Sequence, residues 1–157
     1  MVAGGLILSS ITYIIQVYGG CTNYLLDSLQ VQLNRAARTV TKLSKFTPTS
    51  DLMRQCNWMT VRQLVAYHSL VVLHRVMTTK SPTYIFNLIK LGGRLTRHVD
   101  NTTASDERRF KTVTANRGFV PRTVKDWNML PVNIRSISEH SSFKRHLKDY
   151  ILNQMTS

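Results

Sequence analysis

Eight carboxylates are spread along the chain: Asp27, Asp51, Asp100, Asp106, Glu107, Asp126, Glu139 and Asp149. Two-metal phosphoryl chemistry needs several of them converging on one site. Asp106-Glu107 is the one adjacent pair, and its polar surroundings beside Arg108 and Arg109 mark it as a local counterion. The histidines are His68, His74, His98, His140 and His146. His140 and His146 are six apart, so they do not share the helical face that a metal pair needs. His68, in the most apolar segment, reads as a hydrogen-bonded core histidine. Cys21 and Cys56 have neither zinc nor redox spacing and read as reduced structural thiols. No Ser-His-Asp or Cys-His set can be assembled, and neither Gly-x-Gly-x-x-Gly nor a phosphate loop ending in Lys-Ser/Thr is present. No catalytic residue, metal ligand or cofactor is therefore assigned, and catalysis by this chain alone is not expected.

The cations carry more information. The first 34 residues hold no lysine or arginine, whereas the rest hold all 21. Fifteen of them fall into three sets. Arg35, Arg38, Lys42 and Lys45 form the first, and spacings of three and four put Arg35, Arg38 and Lys42 on one helical face. Arg94, Arg97, Arg108, Arg109, Lys111, Arg117, Arg122 and Lys125 form the second; Lys144, Arg145 and Lys148 form the third. Arginine-rich surfaces suit bidentate phosphate contacts. Each set alone could be a solvated face, but three with few intervening acids point to a polyanion. Trp58 and Trp127 could stack on bases, although their apolar neighbours favour core positions.

The elements that must position these cations are mostly helical. Leu6 to Tyr18 is the first candidate, ended by Gly19-Gly20. A second helix, capped by Thr22 or Asn23, runs to about Leu43, with an apolar stripe at Leu25, Leu26, Leu29, Leu33, Ala36, Ala37 and Val40. Thr47-Pro48 opens a short helix to about Cys56. Thr60-Val61-Arg62-Gln63 has the form of a capping box opening a central core helix to about Met77. Ser81-Pro82 starts another to about Lys90, stopped by Gly92-Gly93. Helical periodicity is then lost, and 94–99 and 109–114 could pair as short strands. A short helix over Phe119 to Trp127 and a last one over 138–153 follow, the latter burying Phe143, Leu147, Tyr150 and Ile151. The expected fold is mainly α: a compact helical domain of about five to six helices, with a short irregular or β-hairpin insert near 94–114.

A length of 157 residues suits one domain with a real core. The hydrophobic fraction of 43% and charged fraction of 18% are those of a folded chain. A net charge of +13 makes nucleic acid the expected partner and an anionic membrane surface the second choice. No basic residue precedes the apolar run Val2 to Val17, so it lacks the start of a signal peptide. Glycines and polar residues interrupt it too often for a bilayer span. It reads as a buried helix, with membrane association not expected and an intracellular place, nuclear or cytoplasmic rather than secreted, inferred for the chain.

Several segments, in order, resemble one family. Leu-Ser-Ser-Ile-Thr-Tyr-Ile-Ile-Gln-Val-Tyr-Gly-Gly at residues 8–20 resembles the helix following the palm in reverse transcriptases of non-LTR (LINE-type) retrotransposons, jockey-like elements especially. That family has Tyr-Gly, an apolar residue, then Trp-Gly; here Ile14 replaces the glycine and Tyr18 the tryptophan. Leu29 to Arg38 is similar to its Gln-Asn-Arg-Ala-Ala-Arg helix. Phe46-Thr47-Pro48-Thr49-Ser50 and Trp58-Met59-Thr60-Val61-Arg62-Gln63 resemble the next two blocks. Trp127-Asn128-Met129-Leu130-Pro131, Ile134-Arg135 and Phe143-Lys144 resemble its C-terminal signature. The resemblance covers nearly the whole chain; each motif is weak alone and the ordered series is more specific. It implies a single thumb-like domain over 1–157: residues 1–20 as a remnant of the post-palm helix, a basic irregular insert at 91–116, and a C-terminal helix at 138–153. In the family, the thumb helps hold the template-primer duplex. The paired aspartates of the polymerase motif, the endonuclease and the zinc knuckle of some relatives have no counterpart here. The resemblance thus implies a non-catalytic remnant, cut from a palm domain ahead of Met1, that binds RNA or DNA through the phosphate backbone. The alternatives are a translated transposon relic acting as a structural or interaction module with no retained ligand, and a membrane-associated small basic protein.

Overall fold

The computed structural model describes residues 9–13, 15–91, 102–105 and 112–154. It is mainly α-helical and divides into two units, Met1–Val65 with Asp149–Ser157, and Ala66–Lys148.

In the first unit, residues 9–12 are helical and α1 (Ile15–Tyr18) follows, with Ile15 fully buried. α2 (Asn23–Thr41) buries Leu26, Leu33 and Ala37, the inner edge of its apolar stripe, while Leu25 and Val40 remain exposed. Lys42 ends it in the left-handed conformation (φ 57°), its N–H donating to the Arg38 carbonyl at 2.7 Å. α3 (Thr49–Cys56) packs on α2 and buries Leu52 and Met53. Pro48 stands one residue before its first turn, where a missing N–H costs nothing. The capping box opens α4 (Val61–Thr79): the Thr60 N–H donates to Gln63 Oε1 at 2.9 Å, and the Gln63 N–H donates to Thr60 Oγ1 at 3.3 Å.

A polar chain that the apolar stripe does not foretell ties these elements. The Val61 N–H donates to Gln30 Oε1 (2.8 Å), Gln30 Nε2 donates to Asn34 Oδ1 (2.8 Å), and Asn34 Nδ2 donates to Thr49 Oγ1 (2.9 Å). Asn34 is buried, so these bonds are what make a polar side chain tolerable on the inner face. One of the bonds also satisfies an orphan N–H at the start of α4.

In the second unit, α4 continues with Ser69, Leu70, Leu73, His74 and Val76 buried. The helix expected from Ser81-Pro82 to about Lys90 is one turn only, α5 (Thr83–Phe86). Beyond it, Leu88 and Ile89 make tight bonds to the carbonyls of Ile85 and Phe86, and β1 (Lys90–Leu91) pairs antiparallel with β2 (Ala104–Ser105). The tertiary pairing overrides a weak local helical signal. Of the two expected strands, 94–99 and 109–111 lie outside the described residues. Residues 113 and 114 are helical instead, in α6 (Val113–Asn116), because Thr112 caps the turn by accepting the Ala115 N–H at 3.2 Å. α7 (Phe119–Asn128) contains Pro121 in its first turn, where its ring clashes with no preceding carbonyl. α8 (Val132–Arg135) follows Pro131, and α9 (His140–Asn153) begins in this unit with Phe143 and Leu147 buried; its last turn, with the buried Ile151, belongs to the first unit.

The insert strand is held by side chains of the following helices. Trp127 is 1% exposed, and its indole N–H donates to the Thr102 carbonyl at 2.8 Å. Asn128 Oδ1 accepts the Ala104 N–H at 3.0 Å while its Nδ2 donates to the Ala104 carbonyl at 2.8 Å. Arg135 Nη1 donates to Thr103 Oγ1 at 3.3 Å.

Candidate nucleic-acid interface

The third basic set is the cleanest. Phe143 and Leu147 recur at i and i+4 and fasten one face of α9 into the interior of the second unit. Lys144, Arg145 and Lys148 project from the other side, all exposed, within little more than one turn. Glu139 stands just before this helix. Its carboxylate accepts from the hydroxyls of Ser141 and Ser142, and these bonds hold its pKa below the usual range.

The first set divides by role. Arg35, Lys42 and Lys45 are exposed. Arg38 is half-buried, donates from Nη2 to the Thr47 carbonyl at 3.4 Å, and so fastens the loop after α2. Lys45 Nζ lies 5.1 Å from the centroid of the exposed Phe46 ring.

The second set is only partly visible. Arg94, Arg97, Arg108, Arg109 and Lys111 lie outside the described residues, as does the Asp106-Glu107 pair. Arg117 and Lys125 are exposed. Arg122 is half-buried, donating from Nη1 to the Arg117 carbonyl at 3.5 Å and from Nη2 to Ser69 Oγ at 3.4 Å. It is a packing residue as much as a surface cation. Burial pushes the Asp126 carboxyl up, against the pull of Arg122 and Lys125.

Ion pairs join Arg54 to Asp51 (3.9 Å) and Arg62 to Asp27 (2.8 Å). Neither engages Arg35, Lys42, Lys45, Lys144, Arg145 or Lys148. The sequence ruled only on charge; which cations are engaged internally required the packing.

Sequence reasoning missed the histidine that matters most to the interior. His68 is half-buried, against the Tyr67 ring at 5.2 Å. The core histidine is His74, 3% exposed and stacked on Phe143 at 4.1 Å. Its Nε2 lies 2.7 Å from the Ile137 carbonyl, which can only accept, so Nε2 carries the hydrogen. Neutral His74 then accepts at Nδ1 from His140 Nδ1, 3.1 Å away. Burial lowers the pKa of both rings; the neighbouring Lys144, His74 and Arg75 lower that of His140 further.

Trp127 is enclosed, so of the two tryptophans only the half-buried Trp58 keeps a surface. A groove of about 440 Å³ lined by Val72, Arg75, Val76, Thr79, Ser81 and Pro82 brings one cation and no carboxylate to its walls. Among the described residues, no group of three or more His, Cys, Asp or Glu side chains could hold a metal ion, and no helix is long and apolar enough to cross a membrane. Comparisons of the chain with protein-family models, with curated proteins and with solved structures find no match.

Proposed function

We propose that this chain is a non-catalytic nucleic-acid-binding module that grips the phosphate backbone of RNA or DNA without reading sequence. The observation that carries the reading is the outer face of α9, where Lys144, Arg145 and Lys148 stand exposed on a helix whose opposite face is fixed in the interior. A row of cations on a helix already folded presents phosphate contacts without ordering any main chain, and each contact releases condensed counterions. The exposed Arg35, Lys42 and Lys45 add a second row at the end of α2. The resemblance to the thumb region of LINE-type reverse transcriptases agrees with this reading, because a thumb lies along a nucleic-acid backbone. A gel-shift titration at low salt, with single-stranded and duplex RNA and DNA, tests it. Binding to all four that weakens steeply with added salt is expected. No shift with any of them sinks the proposal.

A further inference from the structure

Phe46 is the one phenylalanine among the described residues with an exposed ring; it is 82% exposed. Unlike an exposed tyrosine, it has no hydroxyl for water. Its backbone is nevertheless pinned on both sides. The Phe46 N–H donates to Ser44 Oγ at 3.3 Å, the Thr47 N–H donates to the Ser44 carbonyl at 3.1 Å, and Arg38 Nη2 reaches the Thr47 carbonyl at 3.4 Å. Upstream the loop leaves the α2 cap at Lys42, and downstream it enters α3 through Pro48. The turn therefore holds an apolar ring out in water from a fixed base.

The surroundings of that ring specify its ligand. Lys45 Nζ sits over the ring at 5.1 Å, and Arg35 and Lys42 are exposed on the helix leading into the loop. The nearest carboxylate in the sequence, Asp51, is paired with Arg54. A protein partner would meet an aromatic ring with one cation over it and two more exposed on the preceding helix. A nucleic-acid strand supplies both complements at once, a flat base for the ring and phosphates for the cations. In a duplex the base faces are already stacked on one another except at its two ends, so along the strand only an unpaired base can lie on Phe46.

We propose that the Lys45-Phe46 turn is a stacking platform for an unpaired base, which makes single-stranded RNA or DNA the ligand of the first basic set. The inference rests on the backbone-binding reading above and adds to it the strand class.

Fluorescence anisotropy with labelled oligoadenylate, oligouridylate and a blunt RNA duplex tests it on the full chain, comparing the wild type with Phe46→Ala, Phe46→Leu and Phe46→Trp. Because the ring is exposed, these changes leave the fold intact, which circular dichroism verifies. Oligoadenylate, the better stacker, binds more tightly than oligouridylate. Phe46→Ala and Phe46→Leu each weaken single-strand binding by about tenfold and duplex binding by less than about twofold, whereas Phe46→Trp retains it. Equal losses on single strand and duplex, no loss in either, or a Phe46→Leu variant that binds like the wild type overturns the platform and leaves backbone binding standing. Absence of wild-type binding to all three probes overturns backbone binding as well.

Discussion

At the residue scale, the most informative side chains are those that satisfy backbone groups far away in the sequence. Asn128 forms two hydrogen bonds with Ala104, whose residue is 2% exposed. Replacing it by alanine leaves a buried N–H and a buried carbonyl without their partner, at about 1–3 kcal/mol for each unsatisfied group. Asn128→Ala is therefore expected to lower the unfolding free energy by about 2 kcal/mol in urea titrations; a change under about 0.5 kcal/mol would show the pair to be dispensable. The sequence placed Trp127 in the core, and the structure agrees. Nothing within reach of Asn128 in the chain signals its role, because its partner lies 24 positions away. Arg38 and Arg122 teach the same lesson with the opposite sign. Both count as cations in a composition, yet each fastens a backbone carbonyl, Thr47 or Arg117.

At the element scale, local signals set the helices and tertiary pairing set the insert. The Thr60-Gln63 capping box, the apolar stripe of Leu26, Leu33 and Ala37 and the i, i+4 spacing of Phe143 and Leu147 are local signals, so periodicity found α2 and α9 and capping chemistry found α4. The segment after Ser81-Pro82 lacks such reinforcement. It stops after one turn because Lys90 and Leu91 pair with Ser105 and Ala104. α9 is also where backbone binding is best tested by mutation. Reversing Lys144, Arg145 and Lys148 to glutamate touches only exposed positions, so melting should change little. If these residues contact up to three phosphates, the variant binds duplex DNA at least about tenfold more weakly at low salt. Its slope of log affinity against log salt is shallower by roughly two to three. An unchanged slope would take α9 out of the interface.

At the scale of the whole molecule, the net charge of +13 governs partners, whereas stability against acid follows the few titrating groups whose surroundings change on folding. His68, His74 and His140 are all lowered by burial, the first and last also by Lys144. The ring that is most enclosed, His74, faces His140, the Ile137 carbonyl, Phe143 and Trp127. Well above pH 6.5 these histidines are neutral folded or unfolded. Below it the unfolded chain takes up protons that the folded chain resists until its lower pKa values are reached, so stability falls as pH falls through that window. Asp126, raised by burial, acts with the opposite sign in the range immediately above 3.8. Urea midpoints are expected to drop between pH 7.5 and about pH 5.5, and a flat or rising profile would contradict the assignment of neutral buried histidines. The sequence by itself determined the mainly helical fold, the positions of the main helices, the enclosure of Phe143, Leu147 and Trp127, and the concentration of cations after Asn34. These follow from periodicity, capping and composition, which are local or additive. Only the tertiary structure decided that Asn34 and His74 are core residues, that Arg38 and Arg122 serve the fold, and that Phe46 is held out in solvent. Each of those outcomes depends on hydrogen-bond partners and neighbours brought together by packing, and such neighbours have no fixed spacing along the chain.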